Sequence, residues 1–147
     1  MSRLFELANK ASRIDVWILL DKVLSSDETQ DMIIELNKEQ LTIGQDTTGG
    51  EVGQYFSDEY ATAKQAIGSK APFGVVDLLL TGDFYEGFDT TLTGDSVLVF
   101  SNDEKADDLE QKYGSEIYGL TEENLNRLIH QQIIPELLIT IKNELQL

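Results

Sequence analysis

Phe84-Tyr85-Glu86-Gly87-Phe88-Asp89-Thr90-Thr91-Leu92-Thr93-Gly94-Asp95-Ser96-Val97-Leu98-Val99-Phe100 is the stretch that decides the fold class. From Phe84 to Thr93 the pattern reads as a strand, with Phe84, Glu86 and Phe88 on one face and Tyr85 and Gly87 on the other. Thr93-Gly94-Asp95 is a turn signal. Ser96 to Phe100 is rich in the residues that strands favour. Together these segments predict a β-hairpin that turns at Gly94.

Helical patterns flank the hairpin on both sides. Leu4, Leu7, Ala8, Ala11, Ile14, Ile18 and Val23 keep a period near 3.6, and no Gly or Pro interrupts them. One long N-terminal helix is expected there. Ser25-Ser26-Asp27-Glu28 looks like a turn with a new cap, Ser25 and Glu28 having the spacing of a capping box. A second helix is expected from about Asp27 to Leu41, burying Met32, Ile33, Leu36 and Leu41. The two make either a helical hairpin or one long helix with a break.

Gly44 to Gly53 holds four glycines among polar residues and reads as a loop. Tyr60 to Ile67 reads as a short helix or turn, and Ser69 to Gly74 as a second loop. Val75 to Leu80 is apolar but too short for periodicity to assign. Beyond the hairpin, Glu104 to Tyr113 is a short helix ended by Gly114 in the C-cap position. The last helix is the best signalled. Thr121 is its N-cap, Glu122 and Glu123 suit its first turn, and Leu120 is spaced to staple onto Leu125. Leu125, Leu128, Ile129, Ile133, Leu137, Ile141 and Leu145 continue the stripe, with a kink or a break expected at Pro135. Clustered strands between helices predict an α+β fold: an N-terminal helix or helical hairpin, a small antiparallel sheet with a central hairpin, and a C-terminal helix. At 147 residues the chain fits a single domain, 1–147, able to bury about 70% of its unfolded surface.

The chain has no cysteine, which excludes disulfides, thiolate metal sites and a cysteine nucleophile. No apolar run approaches the roughly 20 residues of a membrane span, so no membrane association is expected. The N-terminus, Met1 to Glu6, lacks the apolar core of a signal peptide, and synthesis in the cytoplasm is expected. The formal net charge is −16. Such a surface repels phosphates and anionic lipids, so sequence-specific nucleic-acid binding is not expected. Asp77, Asp83, Glu86, Asp89, Asp95, Asp103 and Glu104 lie in the stretch Ala71 to Glu104, which contains no Lys or Arg. That stretch reads either as a solvated surface or as a face turned to a basic partner or to passing DNA.

Motifs for chemistry fail one by one. Gly44 to Glu51 has the two-glycine spacing of a phosphate loop, but Gly50 stands where Lys is needed and Glu51 where a hydroxyl is needed. His130, the one histidine, has no neighbouring nucleophile or orienting acid and reads as a surface or core-edge residue. Asp103, Asp107 and Glu110 fall near one helix face, but with no calcium-loop spacing. No cofactor, no metal and no catalytic residue is expected. Most of the mid-chain aromatics are expected in the core, with Tyr55 or Tyr85, if exposed, suited to a protein interface.

Lys70-Ala71-Pro72-Phe73-Gly74 and then Leu78, Thr81-Gly82, Phe84, Gly87 and Phe88 resemble the recurring pattern of the neck and tail-completion proteins of tailed bacteriophages, the minor tail and virion morphogenesis proteins. Val97 to Ser101, Ala106, Leu109-Glu110 and Gly114 follow in that family's order, so the resemblance covers about Lys70 to the end. Lys105 stands where the pattern has Tyr, and Ile117-Tyr118-Gly119-Leu120 replaces an arginine and an aromatic. The resemblance implies a non-enzymatic structural subunit of a virion. It would form a ring with itself at the head–tail connector, neck or upper tail, against neighbouring portal, neck or tail proteins. The motif residues would be Thr81, Gly82, Phe84, Tyr85, Phe88, Gly94 and Gly114. Local physics accounts for the same motif as a plain turn into a strand: Gly82 supplies a positive φ, Thr81 bonds the backbone, and Phe84 and Phe88 anchor on the core. The alternative reading of the charge is an acidic DNA mimic that inhibits a basic, nucleic-acid-binding protein.

Overall fold

The structure is a computed structural model that describes residues 2–79, 81–94 and 96–146. Leu80, in the unassigned apolar run, and Asp95, in the hairpin turn, lie outside the described residues. The fold is α+β, with helices α1 (Arg3–Ser12), α2 (Val16–Leu24), α3 (Asp27–Thr42), α4 (Asp58–Ala66) and α5 (Asp83–Glu86) preceding strands β1 (Phe88–Thr93) and β2 (Ser96–Ser101). Helices α6 (Ala106–Tyr113), α7 (Glu122–Leu128) and α8 (Ile134–Leu145) follow.

The expected first helix is two. Arg13 closes α1 by donating its backbone N–H to Ala11 and Lys10, and the Asp15 carboxylate caps α2 by accepting from the Trp17 amide at 3.0 Å. A local side-chain cap therefore overrides an unbroken apolar stripe. The cap of α3 is Ser26, whose hydroxyl accepts from the Thr29 amide, while Ser25 ends α2. Ile33, Leu36 and Leu41 are buried as expected, and Met32 packs at the edge.

The hairpin pairs Phe88 with Ser101 and Thr93 with Ser96, and Gly94 opens its turn at φ +60°. The expected strand start at Phe84 is corrected. Asp83–Glu86 form a helical turn and β1 begins at Phe88. Phe84 and Phe88 are four apart, so they share a face in a helical turn as well as in a strand. Among the described residues the sheet has these two strands alone.

Gly114, at φ +92°, ends α6 as expected, and Thr121 caps α7 by accepting from the Asn124 amide at 3.2 Å. The expected break at Pro135 does not occur: the backbone stays helical through Ile133 and Ile134 into α8. Residues Ile129–Ile133 widen into a π turn, and Pro135 then falls in the first turn of α8, where its missing N–H costs nothing.

The main core joins α3, α5, the hairpin and the 115–117 turn through Leu41, Val52, Val76, Phe84, Tyr85, Phe88, Ala106 and Ile117. A smaller cluster of Ile33, Leu36 and Leu128 ties α3 to α7, and Val99 touches both. Helices α1 and α2 pack on α8 at the other end. Neither α1 nor α8 contains a buried residue.

Candidate functional site

A cleft of about 170 Å³ opens beside the segment singled out in the sequence, lined by Tyr55, Tyr60, Lys64, Asp77, Leu78, Thr81, Gly82 and Lys105 among others. Its floor is a buried ion pair. The Lys64 side chain is 7% exposed and that of Asp77 is 3% exposed, with Nζ and Oδ1 2.8 Å apart. Lys64 comes from the inner face of α4 and also donates to the Leu79 carbonyl. Asp77 accepts from the Ser69 hydroxyl at 2.9 Å, the Leu79 amide at 3.0 Å and the Tyr55 hydroxyl at 3.2 Å. Tyr85 donates its hydroxyl to the Asp77 carbonyl.

Burial alone would raise the Asp77 carboxyl. The Lys64 ammonium, the Leu79 amide and the Ser69 hydroxyl more than offset it and hold the pKa below its ordinary value. Burial, and behind it the Asp77 charge, pushes the Tyr85 hydroxyl far up. Burial pushes the Tyr118 hydroxyl to about 12. With both Asp77 oxygens engaged and the ammonium bonded twice, this arrangement pins backbone. It joins α4 to the chain at residues 77–79, where Leu78 is held at φ +56°, an uncommon state for a side chain of its size.

Thr81 and Gly82 form the rim. The Thr81 hydroxyl accepts from the Asp83 amide at 3.4 Å, and Gly82 takes φ +88°. Both follow the local physics read from the sequence, except that the turn leads into α5. A Cβ on Gly82 would meet no atom within 4 Å, so the cost of Gly82→Ala is backbone strain alone. That substitution is expected to lower unfolding free energy by about 1 kcal/mol, shifting the urea midpoint with no change in slope.

Phe84, Tyr85 and Phe88 are 5%, 8% and 8% exposed, which makes them core residues and removes Tyr85 from any interface. The Phe84 and Phe88 rings meet edge-on at 5.0 Å, and Tyr118 lies 5.8 Å from Phe88. The expectation that the other aromatics are mostly core is corrected at Phe56, Phe73 and Tyr60, which are exposed.

The 44–53 loop is held by backbone and side-chain bonds. Asp46 accepts from the Thr48 amide and hydroxyl, and the Gln45 and Glu51 backbones pair in an isolated antiparallel bridge. His130 is exposed, with Nδ1 2.8 Å from the Asn126 carbonyl. Among the described residues no cluster of acids and histidine is arranged to hold a metal, the Asp103, Asp107 and Glu110 set included.

Two polar features had no sequence signal. Lys64 and Asp77 are 13 positions apart on no shared period. Asn37 and Gln40 sit within the apolar stripe of α3, yet both are buried. Their side chains bond the backbone of Ile117, Gly119 and Thr121 at 2.8–3.0 Å. Of the acids in the base-free stretch, Asp77 is not on the surface, whereas Asp83, Glu86, Asp89 and Glu104 are exposed.

Compared with known proteins, this chain matches no family model, no curated protein and no solved structure.

Proposed function

We propose that this chain is a non-enzymatic structural subunit of a tailed-bacteriophage virion, working as a ring of copies at the head–tail connector, neck or upper tail. The observation that supports assembly is the state of the terminal helices. α1 has 10 residues and α8 has 12, and neither buries a residue. Isolated helices of that length are marginal in water, and helices in proteins draw most of their stability from a packed apolar face. Here Leu4, Phe5, Ile134, Leu138 and Ile139 stand exposed. A neighbouring subunit supplies the missing packing. Virion placement follows the motif resemblance. Asp83, Glu86, Asp89 and Glu104 then line the passage, where like charge keeps DNA from sticking. A ring with those acids facing outward removes that part of the proposal.

The test is mass spectrometry of purified particles. The chain is expected at a fixed multiple-copy stoichiometry, and its absence overturns the reading. DNA mimicry is favoured by the charge of residues 25–133, where 22 acids face six bases. A mimic is expected as a monomer or dimer bound to a basic protein and missing from particles.

A further inference from the structure

The charge is divided in a way that bears on how copies meet. Residues 1–24, the α1–α2 arm, carry four bases (Arg3, Lys10, Arg13, Lys22) and three acids (Glu6, Asp15, Asp21), a net of +1. The other residues carry seven bases and 24 acids, a net of −17. The arm is thus slightly positive on a strongly acidic chain, as is the short stretch 61–76 with Lys64 and Lys70 and no acid. At its middle stands Trp17, the sole tryptophan, 76% exposed between Val16 and Ile18, which are also exposed. An exposed tryptophan among apolar neighbours is the residue type that most often anchors an interface.

Away from the arm, a second cleft of about 330 Å³ lies at the start of α4, walled by Tyr55, Phe56, Tyr60, Tyr113 and Lys112. That volume is at the lower bound of about 300 Å³ for small-ligand pockets, so it suits a side chain better than a cofactor. Phe56 is 97% exposed, and Lys112 Nζ lies 5.6 Å from its ring and 5.2 Å from that of Tyr113. The ammonium is therefore already placed among ring faces, and an indole is the strongest partner for it. Asp58 and Glu59, both exposed, flank the cleft, opposite in sign to the exposed Arg13 and Lys22 on either side of Trp17, although the exposed Asp15 and Asp21 lie between those two bases.

We infer that the α1–α2 arm of one copy docks on a neighbouring copy, with Trp17 seated in the Phe56–Tyr60–Tyr113 cleft. The inference rests on the self-assembly reading above. Arm and cleft are different surfaces, so the contact is head-to-tail, the kind that closes into rings. A positive arm on an acidic body gives encounter a direction, whereas body against body is repelled.

The sole indole makes the contact directly readable. Over a concentration series of the full chain, sedimentation and tryptophan emission are expected to change together, the emission shifting to the blue as Trp17 leaves water. Phe56→Ala is expected to weaken association at least tenfold and abolish the shift, and added salt to weaken it further. Phe56 is surface-exposed, so its loss leaves the core intact, which circular dichroism verifies. The cysteine-free background adds a geometric check. A mixture of Val16→Cys and Gln54→Cys chains, which keep both Trp17 and Phe56, is expected to form one mixed disulfide, and the double variant a covalent ladder. Association with unshifted emission, self-coupling of Val16→Cys alone, or no association at any concentration overturns the inference. Particles that contain the chain while the mixed disulfide fails reject this contact and leave the virion reading standing. A ladder formed by a chain absent from particles does the reverse.

Discussion

Asp77→Ala is expected to lower the unfolding free energy by about 3–5 kcal/mol, because it leaves the buried Lys64 ammonium without its partner. The loss has a second part. The Leu79 amide and the Ser69 and Tyr55 hydroxyls lose their acceptor together. For that reason a Lys64→Met, Asp77→Leu pair is expected to recover only part of the stability, although apolar replacement of an isolated buried pair is often neutral. The same site sets an acid dependence. The Asp77 pKa is depressed in the folded state, so its contribution is fully present above the unfolded carboxylate value of about 3.9. The contribution falls away as pH drops through the folded value. Urea unfolding between pH 7 and pH 2 is expected to show that decline in the native chain and a smaller one in Asp77→Asn. An unchanged acid limb in Asp77→Asn would mean that the ion pair does not govern it.

The parts of this fold legible in the sequence are those set by local chemistry. Thr121 caps α7, Gly114 ends α6 and the Gly94 turn closes the hairpin because each needs only its immediate neighbours. Where two local rules compete, the sequence is ambiguous. Phe84 and Phe88 satisfy both the strand period and the helical one, and the left-handed Gly82 followed by Asp83 tips the segment into a helical turn. The apolar stripe of the first 24 residues is continuous, but Asp15 is a competent cap in the middle of it, and capping outweighs the stripe. The candidate cleft was half legible. Thr81 and Gly82 mark its rim, yet its floor is a Lys and an Asp whose types normally signal the surface. Only the closure of the chain around α4 brings them together, and no period along the sequence records that closure. The same holds for part of the Trp17 arm: its apolar residues read as core, and the structure buries Leu19 and Val23 but leaves Leu4, Phe5, Val16, Trp17 and Ile18 exposed.

Asn37→Leu is expected to cost about 2–6 kcal/mol, despite replacing a polar residue by an apolar one of similar size in a buried position. Asn37 is fully buried and joins α3 to the turn that precedes α7. Its Nδ2 donates to the Ile117 carbonyl at 2.9 Å and its Oδ1 accepts from the Gly119 amide at 2.8 Å. Leucine leaves both backbone groups unpaired, at about 1–3 kcal/mol each. Gln40 one turn on holds the Gly119 carbonyl and the Thr121 amide, so the two side chains act as one clamp. Their losses should therefore not add, and the Asn37→Leu, Gln40→Leu pair is expected to cost less than the sum of the single changes. Native-state hydrogen exchange locates the effect: the Gly119 and Thr121 amides lose protection while the β1–β2 amides keep theirs, unless the clamp is not what docks this turn. Asn37→Asp separates charge from shape. It keeps the acceptor for Gly119 but removes the donor to Ile117 and buries a carboxylate with no cation beside it. Burial raises the pKa of such a group, so this variant is most stable in acid and loses stability as pH rises through the carboxylate range. That dependence is opposite in sign to the Asp77 contribution, where Lys64 supplies the missing charge. Two buried carboxylates in one core, one native and one introduced, would thus titrate stability in opposite directions.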